Sequence, residues 1–155
     1  MESFNLVDSI VSGVSTTVGA ERARKRTTED KHIEKIIRGR NARIKVVGAG
    51  GSGNNTILRM NQIGIEGAET IAMNTDAQHL MLTEADRKLL LGETTTSGMG
   101  AGADPSVGET AARESAADIA EMLEDTDLLF IACGLGGGTG TGAAPIIAKV
   151  AEDMN

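Results

Sequence analysis

The chain has 155 residues, enough for one domain with its own core, and is 40% hydrophobic and 24% charged, which excludes a disordered chain. Phe4 and Phe130 are its only aromatic residues, and its single cysteine, Cys133, excludes an internal disulfide framework and fits a reducing compartment. The net charge of −7 is uneven: residues 21–45 carry ten Lys/Arg against four Asp/Glu and residues 46–155 carry five against sixteen, so an acidic main domain argues against a nucleic-acid partner.

Residues 1–42 read as a tail with a helix. Phe4, Val7, Val11, Val14 and Val18 fall at helical spacing, Ser, Thr and Gly interrupt them, and RARKR follows at 22–26. This stretch reads either as a mobile arm or as an amphipathic segment for a partner or membrane surface. Residues 28–38 read as a helix with Ile33, Ile36 and Ile37 on one side.

The organised part begins at residue 43, where RIKVVG (43–48) is a short apolar strand running into a Gly-rich turn. Residues 55–63 read as a helix with Ile57, Leu58 and Ile63 facing inward. Strands are expected at 70–74 and 88–91, separated by a short helix over 77–82 that Asp76 caps. A loop rich in Thr and Gly occupies 92–103. The longest helix is expected over 105–124. Pro105 suits its first position, Ser106 and Glu109 form a capping box, and Val107, Ala111, Ile119 and Leu123 make its buried stripe. A fourth strand runs over 127–133 and a last helix over 142–152. Continuous apolar strands alternating with helices predict a doubly wound, mainly parallel α/β sheet, with its ligand outside the carboxyl ends of the strands.

Six of the nine residues from 134 to 142 are glycine, although a glycine fixed in a regular element is about 0.5–1 kcal/mol less favourable than alanine. Two further loops, GAGGSGNN (48–55) and GMGAGA (98–103), share the design. Each leads into a helix N-terminus, where unpaired N–H groups and the dipole favour an anion. None contains Lys or Arg, and no Gly-Lys-Ser/Thr occurs, which excludes a Walker-type loop. The expected ligand is a polyphosphate held by backbone amides, Mg²⁺ and the hydroxyls of Ser52, Thr139 and Thr141. Gly48-x-Gly50-x-x-Gly53, with Asp76 downstream, also fits a dinucleotide fingerprint. A NAD-dependent oxidoreductase therefore stays open as an alternative.

In this order and spacing, GAGGSGNN, NTDAQ (74–78), GMGAGAD (98–104) and GGGTGTG (136–142) resemble the FtsZ family of prokaryotic cell-division GTPases in the tubulin superfamily. The resemblance covers 43–155, and the doubled asparagine at 54–55 resembles archaeal members. It implies the Rossmann-like GTPase domain of that family, truncated: 43–155 would be the N-terminal part of the GTP-binding domain, with the C-terminal domain absent. It also implies GTP/GDP and Mg²⁺ as ligands, head-to-tail filaments, a cytoplasmic ring at midcell, and membrane-anchor and regulatory proteins as partners. Motif by motif, Gly50, Gly51, Ser52, Gly53, Asn54 and Asn55 would meet the nucleotide. Asn74 and Asp76 would lie near the phosphates, with Asp76 toward the metal through water. Ala101, Gly102 and Ala103 would sense the γ-phosphate, and Gly137, Gly138, Thr139, Gly140, Thr141 and Gly142 would wrap the phosphates. Asp104 stands where many members carry asparagine and reads as a helix cap or as a group near the metal. In the family, guanine recognition and the catalytic acidic loop lie further along the chain. No catalytic residue is therefore assigned, the isolated chain is expected to be inactive, and a nucleotide-dependent scaffold without hydrolysis is a second alternative.

Plain structural roles are expected elsewhere. Phe130 and Cys133 belong in a strand's core, and Met60, Met73, Met81 and Met122 fill gaps. His32 and His79 read as unpaired. Glu109, Glu114, Asp118 and Glu121 form a solvent face, and Thr94, Thr95 and Thr96 sit in an exposed loop. No apolar run reaches the length of a membrane span, and the N-terminus lacks the layout of a secretory signal.

Overall fold

The computed structural model describes residues 42–154. The expectations for 1–41, including the helix over 28–38, lie outside the described residues. Strands β1 (Ile44–Ala49), β2 (Ala68–Asn74), β3 (Arg87–Leu90) and β4 (Leu128–Cys133) form one sheet in the order β3-β2-β1-β4, with every pair parallel. Among the described residues the helices are α1 (Gly50–Ile63), α2 (Ala77–Leu82), α3 (Glu93–Thr96), α4 (Pro105–Glu114), α5 (Ala116–Leu123) and α6 (Thr139–Asp153).

β1 is central, and its Val47 pairs with Ile71 on one side and Ile131 on the other. On one face of the sheet Val47, Ala49, Ile71 and Met73 pack with Leu91 and with Ala111, Ala112, Ile119, Leu123, Ala143 and Ile147 of α4, α5 and α6. On the other face α1 lies against β1, β2 and β4 and buries Ile57 completely. Cover on both faces explains why β1 and β2 show apolar runs without alternation.

Several boundaries and burials differ from the sequence expectation. α1 begins at Gly50, so most of the first Gly-rich loop is the opening of the helix. Ile63 is exposed, in the last residue before the left-handed Gly64 ends the helix. The predicted long helix is two helices. Ser115, at φ −92° and ψ 16°, divides them, and its buried hydroxyl oxygen accepts the Gly92 N–H at 2.9 Å. Asp104 caps α4: its Oδ1 accepts the Ser106 N–H at 2.8 Å and the Ser106 hydroxyl at 2.7 Å. Glu109 pairs with Arg113 instead of closing a capping box. α6 starts three residues early, at Thr139, which places Pro145 inside the helix and removes the N–H that would bond the Thr141 carbonyl. Phe130 is 53% exposed, on edge strand β4 and on the face away from the main core. Met73 is fully buried as expected, whereas Met81 is exposed.

Lys45 is buried at the start of β1. Its Nζ donates to the Met122 and Glu124 carbonyls at 2.8 and 3.0 Å and pairs with Glu69 at 3.2 Å. A cation at a helix C-terminus satisfies carbonyls that lack an intrahelical partner. Lys45→Met is expected to lower stability by about 1–2 kcal/mol by leaving those carbonyls unpaired. An unchanged midpoint in urea unfolding would show that the ammonium contributes nothing.

Among the described residues three carboxylates are held below their ordinary range. The Arg43 guanidinium does this to Asp127, the Ser106 hydroxyl and N–H to Asp104, and the Thr95 hydroxyl with the Thr94 N–H to Glu114. A depressed folded pKa contributes stability that is present above the unfolded value, about 4, and is lost as pH falls through the folded value. These groups therefore leave stability unchanged between about pH 8 and 5 and withdraw support below about pH 4. Thermal melts across that range check this, and loss of stability already at pH 5–6 would contradict it.

Candidate functional site

From β1 the chain builds β2 and β3 on one side, then returns to place β4 on the other side of β1. The strand order reverses between β1 and β4, and open α/β sheets bind ligands outside the carboxyl ends of the strands at such a point. Because all strands are parallel, the turns after β1, β2 and β4 share that rim. Loop 98–104 joins them. The Ala77 N–H donates to the Gly98 carbonyl at 2.9 Å, and the Gly100 N–H donates to the Thr75 carbonyl at 3.0 Å.

Contact among these turns explains most of the glycines. A Cβ at Gly50 (φ +71°) would lie 2.7 Å from the Gly140 nitrogen, and one at Gly138 would lie 2.8 Å from the Ala101 Cβ. A Cβ at Gly53 would collide with the Ala132 carbonyl, and one at Gly142 with the Pro105 carbonyl. These positions are glycine because protein meets protein there. The Gly142 N–H is also engaged, donating to the Gly138 carbonyl at 3.0 Å. Gly136 and Gly137 differ. Both are exposed, and a Cβ on either would meet nothing within 4 Å. The open part of GGGTGTG is therefore its first two residues, and the exposed Gly102 has equally open surroundings.

The polar side chains divide in the same way. Ser52 and Asn55 are exposed at the opening of α1, and Asn55 Oδ1 lies 3.2 Å from His79 Nε2, so His79 has a partner. Asn54 is fully buried and does not open on the rim. With its amide set to suit its neighbours, it donates to the Gly48 carbonyl at 2.9 Å and the Met73 carbonyl at 3.3 Å, and its Oδ1 accepts from Asn74 Nδ2 at 3.0 Å. It is an internal strut between β1 and β2. Asn74 is also buried, and its Oδ1 accepts the Asp76 N–H at 3.2 Å. Asp76 caps α2 as expected, accepting the His79 N–H at 2.9 Å.

Sequence reasoning passed over Thr75. It is fully buried, and its hydroxyl lies 2.6 Å from that of Thr139, which ties the β2 turn to the glycine loop. Its position between Asn74 and Asp76 at a strand end was the available signal. The Thr141 hydroxyl oxygen accepts the Gly136 N–H at 3.0 Å, which closes the turn beneath Gly137 and leaves the hydroxyl proton free to donate. Thr94 and Thr95 are bonded to Glu114, and Thr96 is buried with its hydroxyl on the Thr75 and Gly92 carbonyls. This segment is therefore anchored, and Glu114 is more than a solvent-facing charge.

The arrangement suits a phosphate chain: open glycines, three helix openings and no cationic side chain in the three loops. Among the described residues no three His, Cys, Asp or Glu side chains stand together as a metal site. The end of β2 offers little to a dinucleotide's ribose, since its last residue is the buried Asn74 and Asp76 Oδ1 is occupied as a cap. No helix among the described residues is long and apolar enough to cross a membrane.

Residues 43–155 match the sequence profile of the Tubulin/FtsZ family, GTPase domain. The chain belongs to the tubulin/FtsZ family. Cell division protein FtsZ 1 of Methanocaldococcus jannaschii is 53% identical to it over 126 residues, 81% of this chain and 35% of that protein. FtsZ 1 of Thermococcus kodakarensis is 49% identical over 153 residues, 97% of this chain and 41% of that protein. A solved structure of an empty FtsZ dimer from M. jannaschii superposes with a TM-score of 0.78 at 51% identity, covering 83% of this chain and 38% of that one. The chain spans 35–41% of the length of these curated relatives. A tubulin/FtsZ GTPase domain, not an oxidoreductase, carries the Gly48-x-Gly50-x-x-Gly53 pattern.

Proposed function

We propose that the protein represented by this chain binds GTP with Mg²⁺, assembles head to tail into filaments and hydrolyses GTP during cell division. This chain is its nucleotide-binding half. The observation that carries the reading is the meeting of three glycine-bearing turns at one switch point, with Gly136 and Gly137 open and no cation in the loops. Similarity to cell-division FtsZ proteins supports it.

In this reading Gly51, Ser52 and Asn55 at the opening of α1 meet the nucleotide. Gly137 and the first amides of α6, those of Thr139, Gly140 and Thr141, take the phosphates, because such amides have no intrahelical partner, and Gly136, whose N–H is bonded to the Thr141 hydroxyl, shapes the turn. Ala101, Gly102 and Ala103 face the terminal phosphate. Gly50, Gly53, Gly138, Gly142 and Asn54 position these groups by packing, Asn74 orients the turn, and Asp76 approaches Mg²⁺ through water. One helix terminus contributes about 0.3–1 kcal/mol, up to about 2 when partly buried. Mg²⁺ therefore has to carry much of the charge compensation. Membership of a GTPase-domain family supports guanine as the base. Hydrolysis is completed between subunits, so the isolated chain turns over negligibly. The filament forms a cytoplasmic ring at midcell, with membrane-anchor and regulatory proteins as partners.

The test uses the full-length protein, titrated with GTP, ATP and NAD in the presence of Mg²⁺ and assayed by sedimentation. GTP-selective binding and a sedimenting polymer that EDTA dissolves are expected. Equal affinity for GTP and ATP, or binding of NAD without GTP, would end the reading.

A further inference from the structure

Helix α4 grips loop 98–104 from both ends. At its own start Asp104 closes the loop as the N-cap. At its far end Glu114 and Ser115 reach back to the segment that leads into the loop. Glu114 Oε1 accepts the Thr94 N–H at 2.8 Å, and Oε2 accepts the Thr95 N–H at 2.9 Å and the Thr95 hydroxyl at 2.6 Å. Ser115 Oγ accepts the Gly92 N–H at 2.9 Å. Helix α3 has no side-chain cap of its own. Glu114 supplies one from another helix, bonding the N–H groups of its second and third residues. The contact is close elsewhere too, since a Cβ at Gly92 would collide with Ala111 of α4.

Between these anchors the loop is hydrogen-bonded to the β2 turn, through Ala77 to Gly98, Gly100 to Thr75 and Thr96 to Thr75, and its Ala101 packs against Gly138. A ten-residue helix is a rigid rod about 15 Å long. α4 therefore fixes the distance between the loop's entrance and its exit.

We propose that Glu114 is a positioning residue that holds loop 98–104 in the shape that receives the nucleotide's terminal phosphate, so that its bonds discriminate triphosphate from diphosphate. The inference rests on the functional reading above, in which Ala101, Gly102 and Ala103 face that phosphate. A carboxylate accepting three hydrogen bonds is a strong clamp. Without it the receptive loop shape becomes one member of an ensemble, and apparent affinity falls by the fraction still populated. Only a ligand that reaches the loop feels this loss. A diphosphate held by α1 and the Gly136–Gly137 turn does not.

Glu114→Gln in the full-length protein is the test. The amide keeps the shape of the side chain and one acceptor oxygen, but loses the charge and the second acceptor. GTP affinity is expected to fall about five- to tenfold, with GDP affinity within about twofold and the critical concentration for GTP-driven polymer raised in parallel. Thr95→Val removes a single bond of the clamp and should shift the GTP/GDP ratio in the same direction by less. Equal losses for GTP and GDP, or a lowered melting temperature with both affinities unchanged, would make Glu114 merely structural and overturn the proposal. If the unsubstituted protein binds no guanine nucleotide, the functional reading fails and the proposal with it. If it binds GTP normally and E114Q keeps the GTP/GDP ratio, the proposal alone fails.

Discussion

Gly142→Ala is expected to destabilise the chain by about 3 kcal/mol or more, a large part of the roughly 5–15 kcal/mol that holds a domain together. The added methyl would collide with the Pro105 carbonyl and the Glu109 N–H and lie 2.9 Å from the Gly108 carbonyl carbon, all backbone of α4. Backbone cannot rotate out of the way as a side chain can. The reverse contact is tight as well, because a Cβ at Gly108 would lie 2.5 Å from the Gly138 carbonyl oxygen. The two helices would have to separate and open the layer that holds Ala111, Ala143 and Ile147. Alanine gains about 1 kcal/mol in helix propensity over glycine, and overpacking outweighs that gain.

Gly137→Ala is the control. It meets nothing within 4 Å, so stability should change by less than about 0.5 kcal/mol while GTP affinity of the full-length protein falls several-fold. Urea unfolding of both variants, with nucleotide titration of the second, separates packing glycines from ligand-facing ones. A Gly142→Ala protein of normal stability would show that the α4–α6 crossing yields easily, and the division of the glycines proposed here would be wrong.

Asn54→Asp should have a comparable effect. The two residues have nearly the same shape, so packing is retained and only hydrogen bonding changes. The aspartate loses both donated bonds and turns an acceptor toward the carbonyls of Gly48 and Met73, in a position with no solvent exposure. Leaving buried carbonyls unpaired and burying a charge beside them should together be unfavourable by about 3 kcal/mol or more. The pH dependence is diagnostic. Burial raises the folded pKa of the new carboxyl above its unfolded value. The folded state then binds the proton more tightly, so the deficit is largest at high pH and shrinks as pH falls. Denaturant midpoints at pH 8 and pH 5 check it. A deficit that grows on acidification would mean that Asn54 does not face those carbonyls.

Much of the frame was legible along the chain. The apolar runs of β1 and β2, the Asp76 cap and Pro105 at the first position of α4 are local signals, and each was read correctly. The division at Ser115 was not legible, because the buried stripe of Ala111, Ile119 and Leu123 runs through it unbroken. The bond from the Gly92 N–H to the Ser115 hydroxyl joins segments that only folding brings together. Glu114 looked like one more exposed acid for the same reason, since its three bonds go to residues that only folding brings near. Phe130 read as core, and it is exposed on β4, the outer strand among the described residues.

The order of strand, turn and helix, and with it the gathering of the turns at the carboxyl rim, followed from the sequence by itself. Periodicity and caps act over a few residues, and parallel strands leave the turns no other rim. Tertiary structure decided which glycines are open and which are filled, and whether Asn54 faces the ligand or the sheet. A missing Cβ looks the same in a sequence whether another backbone or an anion stands in its place, and only distant segments folded against it settle which.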